Sequence, residues 1–94
     1  MGNIKKNLQE RSNITSVAVN NANEIGKIVR THRKMADLTQ LGLAELAGVG
    51  KTVIFDIEKG KSTVKFETLL KVFKTLNISF NLNSPILNKD LENY

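Results

Sequence analysis

The chain has 94 residues, 40% of them hydrophobic, so it can form one domain with a single core and is too short for a second. Its 14 Lys and Arg against 9 Asp and Glu give a net charge of +5, which favours a polyanionic partner such as nucleic acid, although a merely solvated basic surface fits the charge as well. Cysteine is absent, which excludes disulfide frameworks and thiolate-bound zinc or iron–sulfur sites.

The hydrophobic residues are mostly aliphatic, since aromatic residues make up only 5% of the chain. An aliphatic core is typical of small helical domains, so we expect helices and not a β-sandwich. No apolar run approaches the length of about 18 residues that spans a bilayer, and the N-terminus lacks the apolar segment of a signal peptide. We therefore expect a cytoplasmic protein that does not associate with membranes.

The chain divides into three predicted parts. Residues 1–22 are rich in Asn, Ser and Lys and have no sustained period, which predicts a flexible N-terminal arm containing one short strand over residues 15–19. Residues 23–83 carry the periodic patterns of a folded domain. Residues 84–94, which begin beside Pro85, are predicted to be a flexible tail.

Two helices are predicted at the start of the domain. The first spans residues 23–36, with Asn23 as its N-cap and apolar residues recurring at helical spacing. The second spans residues 40–47, with Thr39 as its N-cap and Gly48 closing it.

Two further helices and a strand complete the predicted domain. The third helix spans residues 50–59 and is stopped by Gly60. The fourth, over residues 65–76, has the clearest amphipathic pattern in the chain. Residues 77–83 then alternate apolar and polar, which predicts a strand with one apolar face. That face is formed by Ile78, Phe80 and Leu82.

The third predicted helix has one apolar side and one side of mixed chemistry. At 100° per residue, Ile54 and Ile57 lie on the side that would anchor the helix in the core. The opposite side carries Lys51, Thr52, Phe55 and Asp56. A helix of this kind suits insertion into the major groove of DNA.

Each residue on that outer side matches a chemical group of the base pairs. Lys51 can donate to guanine, Thr52 can bond a base edge, and Phe55 can pack on a thymine methyl. Asp56 can accept a hydrogen bond from cytosine N4. Gln40, at the positive N-terminus of the second helix, would meet a phosphate.

These segments resemble the Xre family of Cro/lambda-repressor-type helix-turn-helix proteins over residues 25–82. The residues that carry the resemblance are Leu38-Thr39-Gln40, Leu43-Ala44-Glu45-Leu46-Ala47-Gly48-Val49, Ile54, Ile57-Glu58-Lys59-Gly60-Lys61 and Leu69-Leu70-Lys71-Val72 with Leu76. The resemblance implies an all-α, lambda-repressor-like helix-turn-helix domain of four to five helices with one short C-terminal β-strand. It also implies that Gln40 contacts the DNA backbone and that the outer side of the third helix contacts bases.

The resemblance implies roles for several further residues. Arg33 and Glu58 match positions that suggest an internal ion pair between the first and third helices; without the resemblance, an exposed pair of little energetic value fits equally well. Gly50 stands where the family usually has a Ser or Thr cap on the recognition helix. Apart from the resemblance, Lys59, Lys61 and Lys65 form a basic turn that either contacts phosphates, as we expect, or is simply solvated.

The predicted strand after the fourth helix points to one group within this family. Together with the preceding Gly60-Lys61-Ser62-Thr63-Val64, it is similar to the HipB-like antitoxins, which dimerise partly through such strands and neutralise a HipA-type kinase. This similarity implies a homodimer, a HipA-like kinase toxin as a partner, and a repressor of its own operon.

The sequence therefore predicts a transcriptional repressor that binds double-stranded operator DNA, and not an enzyme. His32, the only histidine, has no cysteine or acidic cluster beside it, so we expect no metal and no cofactor. Two alternatives stay open. One is a phage-type or other Xre regulator without a toxin, and the other is a protein-interaction module on the same fold.

Overall fold

The computed structural model of the protein describes residues 14–86. Within that range the chain forms helices and no strand, which confirms the predicted all-α class, and residues 15–19 are irregular. The predicted arm before residue 14 and the predicted tail after residue 86 lie outside the described residues. Each helix in the described range is too short or too polar to span a membrane. The helices are α1 (Ala22–Met35), α2 (Gln40–Ala47), α3 (Lys51–Glu58) and α4 (Phe66–Thr75).

Side-chain caps start α1 and α2. The Asn21 side chain accepts a hydrogen bond from the amide of Glu24 at 2.9 Å, and the Glu24 carboxylate accepts one from the amide of Asn20 at 2.7 Å. Because the Asn21 side chain satisfies an amide of the first turn, the N-cap of α1 is Asn21 and not the predicted Asn23. Thr39 caps α2 as predicted.

All four helices of the described range end in the same way. A residue just past each helix takes a left-handed conformation, with φ of 58°, 70°, 81° and 64° at Asp37, Gly48, Gly60 and Asn77. The following amide then donates to a carbonyl in the last turn, at 3.1, 2.9, 3.0 and 2.8 Å respectively. The two turns that flank α3 are thus closed by the predicted glycines, which adopt this conformation without strain.

The core lies between the four helices and is almost wholly aliphatic. Its buried residues are Val29, Leu43, Ala44, Ile54, Ile57, Val72 and Phe73. Burying each of the larger side chains contributes about 1.5–3 kcal/mol relative to leaving it exposed. The predicted inward residues of α2 and α3 that are buried here, Leu43, Ala44, Ile54 and Ile57, confirm the helical period assigned to this segment.

The predicted C-terminal strand is wrong, because residues 78–84 have no regular secondary structure. Ile78 is half-buried against the core, and the Phe80 ring stacks on Phe73 with centroids 4.4 Å apart. Leu82 is 81% exposed. A strand without a partner leaves its amides and carbonyls unpaired, so within a single chain this segment only packs side chains against the core and α4.

Gly26 lets α1 approach the end of α3 closely. A Cβ at this position would overlap the carbonyl oxygen of Ile57 and lie 3.0 Å from that of Glu58. Because both obstacles are backbone atoms, a larger residue cannot be accommodated by rotating a side chain. Gly26 therefore sets the distance between α1 and α3, a role that the sequence patterns did not predict.

Replacing Gly26 with Ala should lower the free energy of unfolding by about 1–3 kcal/mol, as overpacking of a close contact does. Gly42→Ala is the matched control, because its Cβ would meet only the Thr39 hydroxyl at 3.2 Å and the Leu38 side chain at 3.7 Å. A gain in helix propensity of up to about 1 kcal/mol offsets that contact. Urea denaturation measures both variants, and a Gly26→Ala protein as stable as wild type would show that the close approach is unnecessary.

Candidate nucleic-acid interface

The core holds α3 by one face and leaves the opposite face outside. Ile54 and Ile57 are 0% and 3% exposed, so they anchor the helix. The outward face presents the exposed side chains of Lys51, Thr52 and Phe55. Asp56 is also on this face but is only partly exposed. The structure therefore brings together the four residues that the helical period placed on one side.

The N-terminal end of α3 is sterically open. Gly50 is the N-cap in an extended conformation, and it makes no side-chain cap hydrogen bond. A Cβ at Gly50 would have nothing within 4 Å. The first amides of α3 thus carry the positive end of the helix dipole without a side-chain acceptor, and a partner can approach them closely.

Arg33 and Glu58 form a two-pronged ion pair between α1 and the last residue of α3. Arg33 Nε lies 2.6 Å from Glu58 Oε2, Arg33 Nη2 lies 2.9 Å from Oε1, and the two side chains are only 11% and 6% exposed. Arg33 Nη1 also donates to the Leu38 carbonyl at 2.8 Å. Gln40 Nε2 donates to Glu58 Oε1 at 3.3 Å. The pair therefore joins α1, the turn before α2, the first residue of α2, and α3.

This network determines the charge of Glu58. Burial alone would raise the pKa of the Glu58 carboxyl. The hydrogen bonds from Arg33 and Gln40 and the charges of Arg33 and Arg30 together outweigh burial, so the pKa lies below its usual value. The hydrogen bond to Glu58 likewise raises the pKa of Arg33, against the effect of burial. Both partners therefore stay charged at neutral pH.

Side chains of the basic turn after α3 contact side chains on the outward face of α3. Lys61 Nζ lies 3.5 Å from the Asp56 carboxylate, in a pair whose Lys61 side chain is 57% exposed. The Lys59 ammonium lies 5.5 Å from the centroid of the Phe55 ring. These contacts orient both lysines toward the same surface as α3. An exposed pair of this kind contributes little to stability.

Arg30 also belongs to this surface, although the sequence patterns did not identify it as a binding residue. It lines a cleft together with Gln40, Phe55 and Lys59. The signal that would have found it is its position three residues before Arg33, because residues with that spacing share one face of a helix. His32, in contrast, donates a hydrogen bond from Nδ1 to the Ile28 carbonyl of its own helix at 2.7 Å.

Glu58→Gln should destabilise the protein by about 2 kcal/mol near pH 7, the typical value of a hydrogen bond to a charged group. The difference from wild type should shrink as the pH falls. Because the folded pKa is lowered, the ionised carboxylate stabilises the fold above its unfolded pKa of about 4.3, and this contribution disappears as the pH falls through the folded pKa.

Urea denaturation of Glu58→Gln and wild type at a series of pH values between about 7 and 3 measures this difference. Asp56→Asn serves as the control, because its partly exposed pair with Lys61 should change stability by no more than about 1 kcal/mol. A difference between Glu58→Gln and wild type that stays constant over the whole range would contradict the stabilising role of the ionised carboxylate.

Comparison with known proteins agrees with this architecture. The family model described as Helix-turn-helix (HTH_3) matches residues 29–83, which is more than half of the chain. A relative from Sinorhizobium fredii (strain NBRC 101917 / NGR234), the "Uncharacterized HTH-type transcriptional regulator y4mF", is 42% identical over 62 residues. That match covers 66% of this chain and 82% of the relative.

Solved structures show the same fold. A chain in a complex of a HipB variant with an O2 20mer superposes with a TM-score of 0.68 at 18% identity, covering 76% of this chain and 99% of that one. A chain of the HipA-HipB-O2-O3 complex gives a TM-score of 0.67 at 18% identity, covering 74% of this chain and 99% of that one. The matched family, the helix arrangement and the outward face of α3 lead to one conclusion. The chain belongs to the Xre-type helix-turn-helix family of transcriptional regulators.

Proposed function

We propose that this regulator is a sequence-specific repressor that inserts α3 into the major groove of operator DNA. The observation that carries the proposal is the outward face of α3, where Lys51, Thr52 and Phe55 are exposed on a helix held rigidly by its buried face. A helix positioned in this way brings its first turns to the base edges.

The base contacts follow from the chemistry of each side chain. Lys51 donates to guanine O6 or N7, Thr52 bonds a base edge, and Phe55 packs on a thymine methyl. Asp56 accepts from cytosine N4, for which its carboxylate must exchange its contact with Lys61 for one with the base. These residues account for the specificity of the proposed repressor.

The phosphate contacts surround the base contacts. Gln40 and the N-terminus of α2 bind one phosphate, and Lys59 and Lys61 lie beside α3 in the basic turn. Gly50, which has no side chain, lets the DNA backbone approach the amides of the first turn of α3. Such contacts orient the protein on the duplex and add affinity that depends on salt.

We further propose that the protein binds DNA as a two-fold symmetric dimer through α4 and the segment after it. Four large apolar side chains are exposed there: Phe66, Leu70, Phe80 and Leu82, at 62%, 41%, 39% and 81%. The rings of Phe66 and Phe80 lie 5.6 Å apart, so the apolar surface includes both elements. Within the described range, the backbone of residues 79–83 makes no hydrogen bond, and a second copy of this segment would supply partners.

A dimer also meets the geometric requirement of an operator. An operator with two half-sites one turn of DNA apart requires two copies of α3 about 34 Å apart, each in its own major groove, and a two-fold symmetric dimer supplies two such copies. A single copy would bind only one half-site. We therefore propose that Ile78, Phe80 and Leu82 take part in the contact between the two copies.

A more specific proposal is that the protein is the antitoxin of a toxin–antitoxin pair. It is supported by the likeness of the fold to chains in HipB complexes, one of which also contains HipA. In this version the partner of the dimer is a HipA-like kinase toxin, and the repressed promoter is that of the operon encoding both proteins. An Xre regulator without a toxin would have the same DNA-binding surface and would differ in its neighbouring genes.

Lys51→Ala should weaken binding to the operator by about 1–3 kcal/mol, the value of one good base contact, and leave the fold intact. The operator is selected from a random duplex pool with the wild-type protein, and affinities are measured by gel-shift titration. Lys71→Ala is the control with the same loss of charge, because Lys71 is exposed on α4 and not on α3.

Two outcomes would contradict the major-groove role of α3. If Lys51→Ala binds the operator as tightly as wild type, the outward face of α3 does not contact bases. If the wild-type protein selects no duplex, and its binding to a random duplex does not fall steeply with salt, the fold serves as a protein-interaction module instead.

Leu82→Asp should convert the dimer to a monomer at micromolar concentration and weaken operator binding by at least about 100-fold through lost bivalency. Leu82 is the suitable position, because Phe80 also stacks on Phe73 and its replacement would damage each monomer. Leu46→Asp, at a 66% exposed leucine of α2, is the control. Sedimentation measures the mass, and a wild-type monomer that binds one half-site tightly would disprove the dimer.

A further inference from the structure

We propose that Arg30 and Lys59 together bind one phosphate of the DNA backbone in the cleft beside Gln40. The proposal rests on the DNA-binding function argued above and adds Arg30 as a binding residue. Its role is to fix the register of α3 on the duplex, because phosphate contacts position a protein without reading sequence.

The cleft is formed where three helices meet. Its volume is about 340 Å³, and it opens on the side of the molecule that carries the outward face of α3. Its lining residues are Arg30, Arg33, Gln40, Phe55, Glu58 and Lys59. One aromatic ring among five polar or charged side chains does not suit an apolar small molecule, whose sites are mostly hydrophobic.

Glu58, the one carboxylate that lines the cleft, already accepts hydrogen bonds from neighbouring side chains. Both oxygens of Glu58 accept hydrogen bonds from Arg33, and one of them also accepts from Gln40. Arg33 also donates from Nη1 to the Leu38 carbonyl. The Arg33–Glu58 pair therefore has no net charge, and the net charge of the cleft comes from its other two cations, Arg30 and Lys59.

Among the residues that the structure describes, neither Arg30 nor Lys59 takes part in an ion pair. Arg30 lies close enough for its charge to act on Glu58, and Lys59 is held over the Phe55 ring at 5.5 Å. Two like charges across one cleft repel each other, and an anion between them relieves that repulsion.

The anion that fits is a phosphodiester. The arginine offers a planar fork of donors and the lysine a point charge, the two groups that proteins use most for phosphate oxygens. Gln40 adds a neutral amide at the edge of the same cleft, and Phe55 extends from it onto the outward face of α3. A DNA strand passing through the cleft would therefore hold α3 in the adjacent major groove.

The test measures binding of Arg30→Ala to the selected operator and to a random-sequence duplex over a range of salt concentrations. We expect affinity to fall about 10-fold for both duplexes alike. The slope of log affinity against log salt should decrease by about 0.9, the value of one phosphate contact. Arg30→Lys should restore most of the slope. Lys71→Ala should leave both affinity and slope unchanged, because Lys71 is on α4, outside the cleft, and is not one of the apolar residues of the proposed dimer surface.

The outcomes separate this inference from the proposed function. If wild type binds operator and Lys51→Ala weakens it, but Arg30→Ala keeps the wild-type slope, the phosphate site is wrong and the proposed function stands. A loss confined to the operator would also overturn the phosphate site, since it indicates a base contact. If wild type binds neither duplex, the DNA-binding function itself fails. Arg30 is exposed, and a thermal unfolding curve verifies that each variant is folded.

Discussion

The ion pair between Arg33 and Glu58 is the interaction on which the positions of α3 and of the cleft beside it depend. It joins α1 to the last residue of α3 through two short hydrogen bonds at a nearly buried position. The same two side chains hold the Leu38 carbonyl and the Gln40 amide. The pair therefore constrains three helices at once, and removing either partner would leave a nearly buried charge unpaired.

The close contact at Gly26 works together with this ion pair. It allows the α1 backbone to lie against the carbonyls at the end of α3, and the ion pair then spans the two helices. Ile54 and Ile57 anchor the inner face of α3 in the core. With its inner face and its end both held, α3 presents its outer side chains from a rigid support, as specific recognition of a rigid duplex requires.

Two surfaces with different chemistry result from this scaffold. The outward face of α3 and the cleft beside it carry cations and polar groups, with Glu58 neutralised by Arg33. The surface formed by α4 and the segment after it carries exposed large apolar side chains. The first suits a polyanion, and the second is the surface proposed to bind a copy of the same chain. Their separation on different elements allows a dimer to form without covering the surface proposed to bind DNA.

The sequence by itself determined the helices, because their signals are local. The bounds of α2 follow from Thr39 and Gly48, and the faces of α3 follow from the helical period alone. Only the tertiary structure decided that Gly26 is a close contact, that Arg30 lines the cleft, and that residues 78–84 form no strand within one chain. These features depend on what lies opposite each residue after folding, and neither capping nor periodicity contains that information.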